Sequence, residues 1–146
     1  MSEIVYITPE QARDTHHKTI KHSGGGTLEE LEFEKLVGVL NNIQNDEWYP
    51  TFVDKLTHLF FCTCQFHCFA DGNKRLAITL STLFLLLNGY MGIAHTFIGN
   101  MENISLQVAA SKIDKELLHK IMEAIMTNTF DENEALKLEI YNAIKE

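Results

Sequence analysis

The twelve residues from Leu76 to Leu87 constrain the fold most. They are apolar except for Thr79, Ser81 and Thr82, and nothing in them breaks a helix. A membrane-spanning helix needs about 20 such residues, so this run is too short to cross a bilayer. Apolar on every side, it reads instead as a helix buried at the centre of a domain. Arg75 to about Asn88 then forms one helix, with Gly89 as its C-terminal stop. Around so apolar a helix the rest of the chain must supply amphipathic cover.

The flanking segments read as that cover. Ile4, Val5, Tyr6 and Ile7 make residues 1–8 an extended apolar start. Thr8 caps a helix with Pro9 at its first position and Gln11 closing a capping box, and the helix ends at Ser23-Gly24-Gly25-Gly26. Thr27 with Glu30 predicts a second start, followed by Leu28, Leu31, Phe33, Leu36, Val37 and Leu40 at helical spacing. Its early glutamates, Glu29, Glu30, Glu32 and Glu34, suit the helix dipole. Asn41 to Pro50 is a polar connection whose length suits a short hairpin or an irregular loop. Thr51 and Asp54 predict a third helix, apolar over much of its girth, that runs into His67. Met91 to Gly99 reads as a short extended passage, with helices near 101–111, 114–127 and 131–145. The expected class is all-α, in a single domain over 1–146. A chain of this length buries roughly 70% of its unfolded surface, so it needs no covalent staples.

The formal net charge is −8. Such a chain is repelled by phosphate backbones, which argues against nucleic acid as a partner, although a local cationic pocket remains compatible with it. Three cysteines, an odd number without a signal peptide, point to a reducing cytoplasmic setting. Cys62, Cys64, His67 and Cys68 raise a metal or thiol-sensor reading. On a helix, however, Cys62 and Cys64 do not share a face, and no second ligand pair completes a tetrahedral site. Buried thiols acting as small apolar groups explain them better. His16, His17 and His22 beside the glycine run read as solvated helix surface, or as a cationic patch near the site.

The chemistry is concentrated in His67-Cys68-Phe69-Ala70-Asp71-Gly72-Asn73-Lys74-Arg75. An imidazole at a helix end can take a proton from an attacking hydroxyl. Asp71 is a hard oxygen ligand of the kind Mg²⁺ prefers when it also holds phosphates. Gly72 removes a side chain just where the next helix begins, and that helix directs free N–H groups into the loop, an anion site by geometry and dipole. Lys74 and Arg75 add full positive charges. Phe69 is expected to point into the core and pin the loop. The bland alternatives are a structural His67 and a solvated helix start at Lys74 and Arg75.

The pattern His67-x-Phe69-x-Asp71-Gly72-Asn73-Lys74-Arg75 resembles the signature of the Fic/Doc family. Lys at position 74 is the Doc (death-on-curing) form; AMP-transferring Fic proteins typically carry Gly there. The resemblance runs, more weakly, from about residue 8 to 127 and leaves 128–146 as an unassigned addition. It implies a Fic-fold helical bundle with a short β-hairpin flap, which falls at Asn41 to Pro50. It also implies ATP with Mg²⁺, and phosphate transfer to a Ser or Thr hydroxyl of a translation protein such as elongation factor Tu. A Phd-like antitoxin would be the inhibitory partner, since no clean copy of the family's self-inhibitory Ser/Thr-x-x-x-Glu-Gly/Asn segment is present. By resemblance His67 is the general base and Asp71 the metal ligand. Gly72 and Asn73 line the phosphate cradle, and Lys74 and Arg75 neutralise phosphate charge. The alternatives are AMP (nucleotidyl) transfer by the same fold and a non-catalytic helical binding module.

Overall fold

The computed structural model describes residues 3–145. Residues 1, 2 and 146, which belong to the expected extended start and to the single-domain span 1–146, lie outside the described residues. Seven α-helices are described: α1 (Pro9–His22), α2 (Phe33–Asn42), α3 (Phe52–Gln65), α4 (Asn73–Leu87), α5 (Met91–Ala109), α6 (Lys115–Met126) and α7 (Glu134–Ile144), with a 3-10 turn at Phe130–Glu132. Among the described residues the only β-type pairing is one isolated antiparallel bridge between Glu30 and Phe69.

The expected core helix is at the centre. Leu76, Ala77, Leu80, Phe84 and Leu85 of α4 are fully buried, and α3, α5 and α1 pack around them. Local caps set the ends of α1, α3 and α4 where sequence placed them. Thr8 and Gln11 form the capping box of α1, and Thr51 and Asp54 that of α3. Gly89, at φ +87°, closes α4, with the Tyr90 amide bonded back to Leu85 O at 3.0 Å. Asn88 uses its side chain to hold the N-terminal segment through both the amide and the carbonyl of Val5, at 2.8 and 2.9 Å.

Three expectations are corrected. Met91–Gly99 is not extended but the first half of the unbroken helix α5. Ala94, Phe97, Met101, Ile104 and Val108 recur at three- and four-residue spacing and are all buried. Their burial outweighs Gly92 and Gly99, each of which costs a helix about 1 kcal/mol relative to Ala. The second helix begins at Phe33 rather than at Thr27: the Thr27 hydroxyl accepts the Glu29 amide, a local turn, and the following backbone pairs with the 68–70 loop instead of with itself.

Asn41 to Pro50 holds no β-hairpin. Its backbone folds on itself, because Asn45 Oδ1 accepts the amides of Glu47 and Trp48 and Asn45 O accepts that of Tyr49. This loop also lies at the wrong end of α3 for a flap: α3 spans 14 residues, which at 1.5 Å per residue separates the loop from His67 by about 20 Å.

Lys55, whose side chain is wholly buried, holds this loop in place. Its ammonium donates to Ile43 O at 2.7 Å and to Asp46 Oδ1 at 2.8 Å and lies 5.5 Å from the Tyr6 ring centroid. Burial disfavours its charge, but its hydrogen bonds and charge interactions with Asp46 and Tyr6 together outweigh this and raise its pKa. Lys55→Met leaves Ile43 O without its partner. It should lower unfolding free energy by about 1–3 kcal/mol, read as a shift in urea midpoint with an unchanged m-value. Wild-type stability would show that the loop holds itself.

Candidate functional site

The motif lies between the C-terminus of α3 and the N-terminus of α4, and Phe69 anchors it. Phe69 is fully buried. Its ring stacks on His16 at 3.6 Å between centroids, 9° from parallel, and meets Phe33 edge-on at 5.6 Å. Arg13 lies over the Phe33 ring at 4.1 Å and pairs with Glu30. Both backbone polar groups of Phe69 are bound by one side chain: Asn73 Oδ1 accepts its amide at 3.1 Å, and Asn73 Nδ2 donates to its carbonyl at 2.8 Å. Asn73 thus holds the loop shape, with one of its two Nδ2–H groups given to Phe69 O.

A strand-like segment closes the other side. Ala70 N donates to Glu29 O at 2.9 Å, and the amides of Leu31 and Glu32 donate to Cys68 O at 3.0 and 3.2 Å. In this wide-pair geometry the amide and carbonyl of Glu30 face away from the motif. The extended chain beside the motif is thus 29–32, not 41–50.

His16 is the residue that sequence reading missed. It is fully buried, where surface was expected; His17 and His22 are exposed. Its Nε2 lies 2.8 Å from Asp71 O. A carbonyl only accepts, so Nε2 carries the proton and Nδ1 is bare. Nδ1 is buried without a partner among the described residues. Burial lowers the His16 pKa, against the opposing pull of the Asp71 carbonyl, so the ring is neutral. Its only signal in the sequence is its place one turn after Ala12 on the buried face of α1, together with Thr19 and Ile20.

Beyond the anchor, Asp71, Gly72, Asn73, Lys74 and Arg75 line a cavity of about 610 Å³ whose opposite wall is α5, with Glu102, Asn103 and Leu106. Gly72 is the N-cap of α4 at φ +81°, and no side chain caps the helix. The first amides of α4 have no intrahelical acceptor. With Lys74 and Arg75 beside them, they make a site for an anion. Lys74 is exposed. Arg75 leans back on Asp71, its Nη2 3.4 Å from Asp71 Oδ1. His67 is exposed just past the end of α3 and is not among the residues lining this cavity. The structure therefore groups five of the six candidate residues and sets the sixth outside the group.

The donors fit one kind of metal. Among the described residues no three His, Cys, Asp or Glu side chains group as a metal site. One carboxylate at the mouth of an anion site suits Mg²⁺, which is commonly held by one or two carboxylates plus phosphates and water. Backbone passes close to that carboxylate: a Cβ on Gly26 would come within 2.4 Å of Asp71 Oδ2. Cys62, Cys64 and Cys68 are buried and free, and burial pushes their thiols up to about 11, 12 and 11. They are inert as nucleophiles at neutral pH.

A family model described as the Fic/DOC family matches residues 6–85, more than half of the chain. The chain belongs to the Fic/DOC family. That membership points to protein-modifying transferase activity in general. No curated protein and no solved structure matches the chain.

Two substitutions test the anchor. His16→Phe keeps a ring on Phe69 but leaves Asp71 O unpaired. It should cost about 1 kcal/mol and speed amide exchange in residues 69–72, followed by hydrogen-exchange mass spectrometry. Unchanged exchange would remove His16 from the clamp. Gly72→Ala places a Cβ 2.7 Å from Ile20 Cδ1 in left-handed backbone, which alone costs an L-residue roughly 1–2 kcal/mol. Chemical denaturation should show at least that loss.

Proposed function

We propose that this chain is a Doc-like toxin enzyme that transfers the γ-phosphate of ATP to a Ser or Thr hydroxyl of a translation protein, with elongation factor Tu as the first target. The observation that carries this reading is Lys74. It is the second residue of α4, exposed on the cavity wall beside the uncapped amides and Arg75. A full cation there, in place of the Gly of AMP-transferring members, favours the most highly charged end of the nucleotide. Asp71 would hold Mg²⁺, which when bound neutralises phosphate charge.

In the proposed step the target oxygen attacks the γ-phosphorus, the bond to the β–γ bridging oxygen breaks, and ADP leaves. His67 takes the hydroxyl proton. Its position outside the cavity lining suits a base that meets the acceptor protein rather than the nucleotide. Positioning and charge neutralisation supply most of the rate in such transfers.

The segment 27–31 is exposed, with Leu28 46% and Leu31 51% accessible, and its outer edge offers the amide and carbonyl of Glu30. We assign to it the target-clamping role that sequence placed at 41–50, an acceptor strand added at that edge. A Phd-like antitoxin is the proposed inhibitor and the cytoplasm the proposed setting. Among the described residues no helix is long and apolar enough to cross a membrane.

The second reading, AMP transfer, keeps the same residues and differs in the mass added. The test is intact-mass spectrometry of elongation factor Tu after incubation with this protein, Mg²⁺ and ATP. A gain of one phosphate that His67→Ala abolishes is expected. A gain of one nucleotide would make the chain an AMP-transferase despite Lys74. No gain on that factor or on other translation proteins would favour a binding module. Asp71→Ala should raise the Mg²⁺ concentration needed for half-maximal activity; an unchanged titration would take Asp71 out of the metal role.

A further inference from the structure

A second cavity, of about 440 Å³, opens at the other end of α3. Trp48, Tyr49 and Thr57 line one side of it, and Lys115, His119 and Lys120 of α6 the other. From Asp54 on this cavity to Phe66 at the end of α3, the helix rises about 18 Å. The cavity is therefore a separate place from the motif.

Its hydrogen bonds leave a particular surplus. Lys115 Nζ lies 2.7 Å from His58 Nδ1. An ammonium only donates, so Nδ1 is the acceptor and the ring proton sits on Nε2. Burial, and then the Lys115 charge, push His58 down to about 4, so the imidazole is neutral. Its Nε2–H therefore donates to Tyr49 Oη, 3.2 Å away. Burial raises the Tyr49 pKa, and the phenol keeps its own proton, which His58 does not use. Lys115 keeps two N–H groups beyond the one given to His58. Thr57 is 1% exposed, and its hydroxyl has no partner among the described residues.

Lys115 and Tyr49 thus keep donors on this cavity without acceptors among the described residues, and Thr57 in its wall holds a buried, unpartnered hydroxyl. The nearby acids do not answer them. Asp54 is engaged by the amide and hydroxyl of Thr51 and by His119 at 2.8 Å, and Glu116 is exposed on the rim. Lys120 is paired with Glu139 at 3.0 Å, so Lys115 is the lysine of this cavity without a carboxylate partner among the described residues. Above them Trp48 is 70% exposed, a large planar apolar surface at the mouth of a donor-lined pocket. Aromatic surface with a few placed polar groups is the usual make-up of a small-molecule site.

We propose that this pocket binds a small aromatic carboxylate, its anionic group on Lys115 and Tyr49 and its ring against Trp48. The site is independent of the transfer chemistry.

Trp48 is the single tryptophan of the chain, so its fluorescence reports on the pocket alone. The full chain would be titrated with sodium benzoate, with benzylamine as the same ring of opposite charge and acetate as the anion without a ring. A saturable change is expected with benzoate, and weaker or no saturation with either control. Lys115→Met should weaken benzoate about tenfold, the scale of one charge-assisted hydrogen bond. Tyr49→Phe, which keeps the ring and removes only the donor, should weaken it several-fold and serves if the first variant does not fold. His67→Ala should leave benzoate affinity unchanged. Linear, unsaturable quenching by benzoate would overturn the site. So would equal affinity for a control, or wild-type affinity in the folded variants.

Discussion

The fixed position of Phe69 is the constraint on which the rest depends. A loop that presents charge to a ligand gains nothing if it moves, and this one is held from three directions. Asn73 ties both backbone groups of Phe69, His16 stacks on its ring, and the 29–32 segment takes the carbonyl of Cys68 and the amide of Ala70. Each contact satisfies a polar group or fills space that burial would otherwise leave costly. The result is a rigid base from which Asp71, Lys74 and Arg75 extend into the cavity without themselves carrying the fold.

The same economy explains two breaks in local regularity. The backbone after Thr27 gives up a further turn of α2 to bond the motif loop. The N-terminus of α4 gives up a capping side chain, with Gly72 in left-handed conformation where Ser, Thr, Asp or Asn would stabilise a helix. Both leave hydrogen-bonding capacity beside the cavity: the uncapped amides of α4 toward an anion, and the outer edge at Glu30 toward an incoming chain. Local consistency is relaxed where function is expected to need it. The helix α3 separates this end from the Lys55-held loop at Asn45–Tyr49, so the molecule has two polar ends on one rigid spacer.

Much of this was legible in the residues. The capping boxes at Thr8 and Thr51, the stop at Gly89, the burial of α4 and of Phe69, and the grouping of Asp71 to Arg75 all follow from interactions within a few residues. The continuity of α5 was not legible. Its glycines speak locally for a break, and only the neighbours that bury Phe97 and Met101 speak against one. The loop-holding role of Asn73 was not legible either, because its partner, the Phe69 backbone, is defined only once the loop has closed.

What the sequence by itself determined is therefore most of the helices, the caps at Thr8 and Thr51, the central apolar segment, and the family to which His67–Arg75 belongs. These are short-range matters, decided by side-chain type and spacing. Tertiary structure alone decided that 29–32 rather than 41–50 lies beside the motif, that His16 is a buried clamp while His17 and His22 face water, and that Tyr49, His58 and Lys115 meet. Each of those depends on a contact between residues far apart in the chain. Such contacts exist only when several helices pack at once, and no local pattern records which distant group will be there to accept a hydrogen bond or cover a ring.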